Sequence, residues 1–91
     1  MANRVVVNIC GEEYTFVAEE SPAYMQKVGA YVSQKMDEVL SSAKVGRSDA
    51  AILTAANITD ELFKAQAEAS DLKREVFRLQ QKLDNLNKNR G

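Results

Sequence analysis

The chain has no histidine and no tryptophan, and it has only one cysteine and one proline among its 91 residues. Without histidine it lacks the commonest general base and the commonest metal ligand of proteins. A lone cysteine excludes an intrachain disulfide. Cys10 falls in a strand-like alternation and is predicted to be a small apolar residue or a half-exposed strand residue, not a nucleophile. The four glycines are isolated from one another, so the sequence contains no glycine-rich phosphate loop.

Two acidic pairs, Glu12–Glu13 and Glu19–Glu20, are the remaining candidates for acid–base chemistry. Such chemistry needs a desolvated cleft that separates the pKa values of two carboxyl groups. A small hairpin on two helices offers no such cleft, so these pairs are interpreted as solvated turn charges. We therefore expect no enzyme activity, no cofactor and no metal.

The formal net charge is −1, which provides no electrostatic field for nucleic acid. The charge is unevenly distributed. Residues 68–91 hold six basic and four acidic groups, and residues 1–67 hold six basic and nine acidic groups. We interpret this as a solvated surface of mixed charge, with a weak head-to-tail attraction or a basic partner for the acidic half as alternatives.

Long apolar runs are also missing. No stretch approaches the roughly 20 apolar residues of a membrane span, and the first residues lack the apolar core and cleavage site of a signal peptide. With a single cysteine, these features predict a cytoplasmic protein that does not enter membranes.

The N-terminal segment has the alternation of a β-hairpin. Val5, Val7 and Ile9 alternate with other residues, Gly11–Glu13 provides a turn, and Tyr14 and Phe16 follow on a returning strand. These five apolar side chains are the predicted buried face. Because a lone hairpin is marginal in water, it must pack on a helix or pair with a neighbour's strand.

Ser21 and Pro22 predict the start of a helix, with serine as the N-cap and proline at the first helical position. The helix should end near Leu40 or Ser41. A linker then runs to Arg47, after which Ser48 caps a second helix and Asp49 lies at its positive end. The first helix has one predicted apolar face, consisting of Met25, Val28, Val32, Met36, Val39 and Leu40.

The second helix, from about Ser48 to Asn87, contains a hydrophobic heptad with alternating spacings of four and three. At 1.5 Å per residue it would be roughly 60 Å long, whereas a compact monomer of this length is about 25 Å across. Partner chains must therefore supply the missing core. The seam consists of Ile58, Leu62, Ala65, Ala69, Leu72, Val76, Leu79, Leu83 and Leu86.

The predicted fold is α+β and mostly helical, with an N-terminal β-hairpin, one medium helix and one long C-terminal coiled-coil helix. Residues 1–57 form a dimerisation head in this prediction, and residues 58–91 form the coil. Alanines and apolar residues crowd the stretch 50–56, which predicts burial on all sides by the hairpin, the first helix and a second subunit. Asn57 is predicted to be a buried or interfacial amide that fixes helix register.

With Leu62 at position a, leucines occupy most d positions, which favours two parallel strands. The alanines at 65 and 69 weaken that part of the seam. Phe77 falls at position b, outside the seam. It is either a tolerated surface aromatic or part of a second interface, in which two dimers pack antiparallel as a four-helix bundle.

The order of these elements resembles the ZapA family of bacterial cell-division proteins. The resemblance rests on ICGEEYTF (9–16), EESPAYMQKVGAYVSQKMDEV (19–39) and AAILTAANITDEL (50–62) followed by heptads, and it covers essentially the whole chain. The Glu-Ser-Pro sequence and the short coil are similar to the Firmicute branch.

The resemblance implies a small protein, without a cofactor, that is recruited to the division ring at mid-cell. It implies binding to filaments of FtsZ, the tubulin-like GTPase, with cross-linking, bundling and lowered GTPase turnover. It also implies self-association into dimers and, in many members, antiparallel tetramers. Some members carry basic residues just after the hairpin glycine, where this chain has Glu12, Glu13 and Thr15, so those partner-binding residues cannot be transferred. The predicted partner surface is the head region including Glu12, Glu13, Arg47, Ser48 and Asp49.

Two other hypotheses remain open from the residues alone. The chain could be a generic dimerisation or adaptor module that binds another protein through the hairpin edge or the coil. It could also bind nucleic acid through the basic end of the coil, although a local net charge of +2 over residues 68–91 makes that weak.

Overall fold

The computed structural model describes residues 2–90. Two strands, β1 (Asn3–Ile9) and β2 (Glu12–Ala18), precede two helices, α1 (Pro22–Ser42) and α2 (Arg47–Asn89). This confirms the predicted hairpin, medium helix and long C-terminal helix. Contacts within the chain divide it after Ile58 into two compact units. We call the described residues up to Ile58 the head and residues 59–90 the C-terminal segment.

The two strands pair antiparallel in an uninterrupted register, from Asn3 opposite Ala18 to Ile9 opposite Glu12. Cys10 and Gly11 form the two-residue turn, with φ of 52° and 85°. Positive φ at both positions is the geometry that matches the twist of a hairpin. The amide of Gly11 donates to Oδ1 of Asn8 at 3.1 Å. The predicted turn at Gly11–Glu13 was therefore one residue late, and Cys10 belongs to the turn, outside the strand alternation.

Helix α1 packs on β1, and Gly29 makes their close approach possible. A Cβ at this position would lie only 2.1 Å from Cγ1 of Val7. Val5 and Val7 are buried beneath the helix. Tyr14 and Phe16 were predicted to share this buried face, but they are 45% and 36% exposed. The reason is that a single helix lies over β1 and leaves the β2 half of the face uncovered.

Helix α1 begins as predicted. The hydroxyl oxygen of Ser21 accepts a hydrogen bond from the amide of Tyr24 at 3.1 Å, and Pro22 follows at the first turn. Its buried residues are Gly29, Met36 and Val39. Val28, which was predicted to be on the buried face, is partly exposed, because the line of closest approach to β1 passes through Gly29.

Helix α2 begins one residue earlier than predicted. The carbonyl of Gly46 accepts a hydrogen bond from the amide of Ala50 at 2.9 Å, so Gly46 takes the N-cap position. Ser48 lies inside the first turn and is not the cap. Asp49 lies in that turn as predicted. Met36, Val39 and Ala50 form the small core of the head.

Burial in the first part of α2 is one-sided within the single chain. Ala50 and Thr54 are buried, whereas Ile52 and Leu53 are exposed. Asn57 is also exposed. Burial of the 50–56 stretch on all sides and an interfacial Asn57 would therefore both require a second chain.

Every described residue of the C-terminal segment except Glu61 is exposed. Ion pairs one turn apart lie along its surface, including Asp60 with Lys64, Asp71 with Arg74, and Glu75 with Arg78. Exposed pairs of this kind contribute only a few tenths of a kcal/mol each. No helix within residues 2–90 is long and apolar enough to cross a bilayer.

Candidate partner-binding groove and self-association seam

The uncovered β2 half of the hairpin forms one wall of an open groove of about 500 Å³ in the head. The remaining walls come from α1 and from the first two turns of α2. The residues that line this groove are Ile9, Cys10, Glu12, Tyr14, Phe16, Met36, Arg47, Ser48 and Ala51. We call it the head groove.

Arg47 links the two sides of the head groove. One guanidinium nitrogen donates to the carbonyl oxygen of Cys10 at 3.0 Å, and the other lies 3.8 Å from Oε1 of Glu12. Both charged side chains are more than half exposed, so the pair contributes little to stability. Its structural effect is to position the start of α2 beside the hairpin turn.

The carboxylate of Glu12 has a second partner. The hydroxyl of Tyr14 donates to Oε2 of Glu12 at 2.9 Å. Because ionising the phenol would remove this donor and place a second negative charge beside the carboxylate, the contact raises the pKa of Tyr14 above its ordinary value. Glu12 thus holds Tyr14 on one side and faces Arg47 on the other.

Cys10 is fixed in the wall of the groove by α1. Its amide donates to Oγ of Ser33 at 3.0 Å, and its sulfur lies 3.9 Å from the carbonyl oxygen of Ser33. The thiol is free and half-buried. Cys10 therefore anchors the hairpin turn to α1 through its backbone.

The structure brings together three of the five residues predicted for the partner surface: Glu12, Arg47 and Ser48. Glu13 lies opposite Asn8 in the ladder, and alternation along the strand places it on the other face of the sheet from Glu12. Asp49 is exposed in the first turn of α2 and does not line the groove.

The sequence reasoning missed the apolar part of the groove, which consists of Ile9, Tyr14, Phe16, Met36 and Ala51. The available signal was that the hairpin face is wider than one helix can cover. An apolar floor with one carboxylate and one guanidinium at its edge is suited to hold an apolar side chain of a protein partner. Within residues 2–90, no group of three or more histidine, cysteine or acidic side chains could hold a metal ion.

The second candidate site is the seam of α2. Its large residues in the C-terminal segment are between 50% and 63% exposed in the single chain: Leu62, Leu72, Val76, Leu79, Leu83 and Leu86. Ala65 and Ala69 are exposed, and Ile58 is half-buried in the head. Outside the seam, Phe63 and Phe77 are both 63% exposed. They occupy the same heptad position two heptads apart, and Phe63 was not singled out from the sequence.

Comparisons with known proteins agree with this architecture. The family model described as "Cell division protein ZapA" matches residues 5–89. A cell division protein ZapA of Geobacillus thermodenitrificans is 42% identical, with coverage of 79% of this chain and 85% of the relative. The corresponding protein of Bacillus velezensis is 32% identical over 80% of this chain and 87% of its own length.

Two solved structures are similar. A ZapA mutant dimer from Geobacillus stearothermophilus has a TM-score of 0.68 and 35% sequence identity, over 84% of this chain and 90% of that chain. A conserved bacterial protein of unknown function from Pseudomonas aeruginosa has a TM-score of 0.60 and 29% identity, over 91% and 98% of the two chains. The family model spans nearly all of the sequence, and so the chain belongs to the ZapA family of cell division proteins.

Proposed function

We propose that this chain forms a homodimer that binds FtsZ filaments, cross-links them into bundles and stabilises the division ring at mid-cell in the cytoplasm. Membership of the ZapA family supports a role in division. The observation that carries the cross-linking role is the half-exposed apolar seam of the C-terminal segment, because a second copy of the same helix fits such a seam.

The seam has enough apolar surface to drive self-association. Each large seam side chain, exposed by about half, gains on the order of 1 kcal/mol from burial. The six large side chains of each chain become twelve in a pair. The free energy gained by burying all twelve side chains is comparable with the entropic cost of association, which is about 4–15 kcal/mol. The dimer therefore depends on the whole seam, and one charge within it should have a large effect. The relative from Geobacillus stearothermophilus is itself a dimer.

Self-association gives the particle more than one head, and this is what cross-linking requires. In the proposed division of labour, residues 1–57 form a dimerisation head that also binds the partner, and residues 58–91 form a coil that holds the copies together. Two heads that bind neighbouring filaments convert weak single contacts into avidity. Filaments held side by side exchange subunits more slowly, which is the proposed cause of lowered GTPase turnover.

Phe63 and Phe77 suggest a further level of assembly. Both are large, exposed and on one face of α2 outside the seam. We propose that this face packs against a second dimer in an antiparallel four-helix bundle. A tetramer of this kind would carry four heads.

In the head, we propose that FtsZ contacts the head groove, with Glu12, Arg47 and Ser48 at its edge and Glu13 and Asp49 as flanking charges. An apolar side chain of FtsZ would fill the space above Phe16 and Met36. Arg47 is the most informative position to test, because it is exposed, positively charged and part of the groove.

The test is sedimentation of the protein with FtsZ assembled by GTP. Wild-type protein should be recovered in the pellet with the filaments. Arg47→Glu should bind about tenfold more weakly, as expected when an interface loses a charged contact. Lys44→Glu is the matched control, since Lys44 is an exposed cation three residues away that does not line the groove.

The outcomes separate the two parts of the proposal. Equal losses with Arg47→Glu and Lys44→Glu would indicate a general charge effect and refute the groove. Wild-type protein that stays in the supernatant, while FtsZ filaments pellet, would refute the function itself.

A further inference from the structure

The turn of the hairpin has a backbone conformation that its sequence does not favour. Cys10 and Gly11 have positive φ, 52° and 85°, as a type I′ turn requires. Glycine adopts positive φ without strain, and asparagine and aspartate tolerate it, whereas other residues adopt it at a cost. Strained backbone of this kind persists only where the surrounding structure holds it. Contacts from elsewhere in the chain must therefore keep Cys10 in place.

Both backbone groups of Cys10 have partners on the two helices. Its amide donates to Oγ of Ser33 in α1 at 3.0 Å. Its carbonyl oxygen accepts a hydrogen bond from the guanidinium of Arg47, at the start of α2, also at 3.0 Å. The two partners lie 23 and 37 residues away along the chain. One residue of the turn therefore joins the hairpin to both helices.

The two partners differ in how firmly they can hold the turn. Ser33 is half-buried in the middle of α1, and a single torsion, χ1, places its oxygen. The carbonyl oxygen of Ser33 also lies 3.9 Å from the sulfur of Cys10. Arg47 reaches Cys10 with a long side chain that is more than half exposed and has much rotamer freedom to lose. Ser33 is thus the fixed point, and Arg47 follows the carbonyl of Cys10.

We propose that Ser33 is the positioning residue of the head groove: it holds the turn in the conformation whose carbonyl keeps Arg47 at the groove edge. The inference rests on the proposed contact of FtsZ with the groove. Without the hydroxyl of Ser33, Cys10 relaxes out of positive φ and its carbonyl turns away from Arg47. Binding then weakens in proportion to the fraction of molecules that keep the competent conformation.

Sedimentation with FtsZ assembled by GTP tests this role. Ser33→Ala should bind the filaments about threefold to tenfold more weakly, the range expected from the loss of one hydrogen bond. Ser42→Ala is the matched control. Its hydroxyl is on the same helix but donates within it, to the carbonyl oxygen of Glu38 at 2.9 Å. Ser42→Ala should therefore bind like the wild-type protein.

The outcomes distinguish the positioning role from the function itself. Wild-type affinity in Ser33→Ala, in an assay where the wild-type protein pellets with the filaments, would overturn the inference and leave the function intact. Wild-type protein that remains in the supernatant would refute both. Equal losses in Ser33→Ala and Ser42→Ala would indicate a general effect on α1 and would also overturn the inference.

A change in the turn itself provides a rescue. Asn-Gly is a preferred pair for type I′ turns, because asparagine tolerates positive φ. Cys10→Asn should therefore restore filament binding to Ser33→Ala while changing little in the wild-type background. A serine that touched FtsZ directly would not be rescued in this way. A double variant that binds no better than Ser33→Ala would contradict the proposal.

A double-mutant cycle with Arg47→Ala tests the route of the effect. If Ser33 acts through Arg47, then adding Ser33→Ala to Arg47→Ala should cause no further loss of filament binding. Additive losses would show that Ser33 acts by another route. Wild-type affinity in Arg47→Ala would overturn the inference as well, because the proposal makes Arg47 the contact with the partner.

The bond between Ser33 and Cys10 is also measurable without FtsZ. In NMR of the full chain, the amide of Cys10 should exchange with solvent about tenfold faster in Ser33→Ala than in the wild-type protein or Ser42→Ala. Thermal unfolding at one protein concentration shows whether each variant is folded at the temperature of the assay. Equal exchange of the Cys10 amide in folded Ser33→Ala and wild-type protein would show that Ser33 does not hold the turn.

Discussion

Replacing Gly29 with alanine is the sharpest test of how α1 packs on the hairpin. On helix propensity alone, alanine should stabilise a helix interior by about 1 kcal/mol over glycine. The structure predicts the opposite sign. The added Cβ would lie 2.1 Å from Cγ1 of Val7 and 3.3 Å from the backbone carbonyl oxygen of Asn8.

The size of the destabilisation by Gly29→Ala follows from how little Val7 can move. Carbon atoms in contact prefer separations of about 3.5–4.0 Å, so relief requires a shift of more than an ångström. Val7 is a β-branched residue with a stiff χ1 and is fully buried, so it cannot rotate into solvent. Overpacking costs about 1–3 kcal/mol, and this contact lies at the severe end. After the gain in helix propensity, we expect a net loss of about 1–2 kcal/mol.

The assay is thermal unfolding followed by circular dichroism, with protein concentration held fixed because association shifts Tm. A loss of this size lowers the Tm of a domain this small by roughly 5–15 °C. The double variant Gly29→Ala with Val7→Ala provides the control. Removing the methyl groups of Val7 makes room for the new Cβ, so the double variant should lose less stability than the two single variants summed. A Gly29→Ala protein that is more stable than wild type would refute this packing of α1 on β1.

Three further predictions concern the seam, the second face of α2 and the head groove. Leu79→Asp places a charge in the seam, so dimerisation should weaken at least tenfold and filament bundling should be lost, whereas Gln80→Asp outside the seam should leave both intact. Wild-type bundling by Leu79→Asp would show that the seam does not bridge filaments. Phe77→Glu should leave a dimer and remove any tetramer in analytical ultracentrifugation; a persistent tetramer would contradict the role of this face. In an NMR titration of the tyrosines, Tyr14 should have a pKa above 10.0, and Glu12→Gln should lower it. Because only the neutral phenol donates this hydrogen bond, the stabilisation of the fold by the contact is present below pH 10. It is lost as the pH rises through the raised pKa of Tyr14. An unchanged pKa in Glu12→Gln would mean that the hydroxyl and the carboxylate do not meet in solution.

The elements of this fold could be predicted because local signals agree with one another. Ser21 and Pro22 define the start of α1 through backbone geometry and hydrogen-bonding capacity, which depend on no distant residue. The heptad of α2 is equally local, because the side chains that share a helix face are set by the helical repeat. Alternation along Val5, Val7 and Ile9 similarly identifies β1.

The packing between elements could not be read in the same way. Gly29 looks like a weak point of a helix in sequence, yet it allows the closest approach of α1 to β1. The exposure of Tyr14 and Phe16 depends on how much of the sheet one helix covers, and alternation carries no information about that. At the turn, Cys10 adopts positive φ, which is uncommon for residues other than glycine, asparagine and aspartate.

The same distinction between local sequence signals and packing between elements applies to the candidate site. Glu12 and Arg47 were chosen from the sequence as charged residues in the hairpin turn and the linker, and the structure brings them together. The floor of the groove depends on Met36 and Ala51 meeting the hairpin face, which is a tertiary contact between distant parts of the chain. Ser48 reaches the groove from inside the first turn of α2, although it was predicted to be a cap.

The most direct test of the central claim is electron microscopy of FtsZ assembled with GTP in the presence and absence of this protein. The account predicts single filaments without the protein, bundles of filaments held side by side with it, and single filaments again with Leu79→Asp at the same concentration. Single filaments with the wild-type protein, at a concentration where it sediments as a dimer, would contradict the claim that this chain cross-links FtsZ.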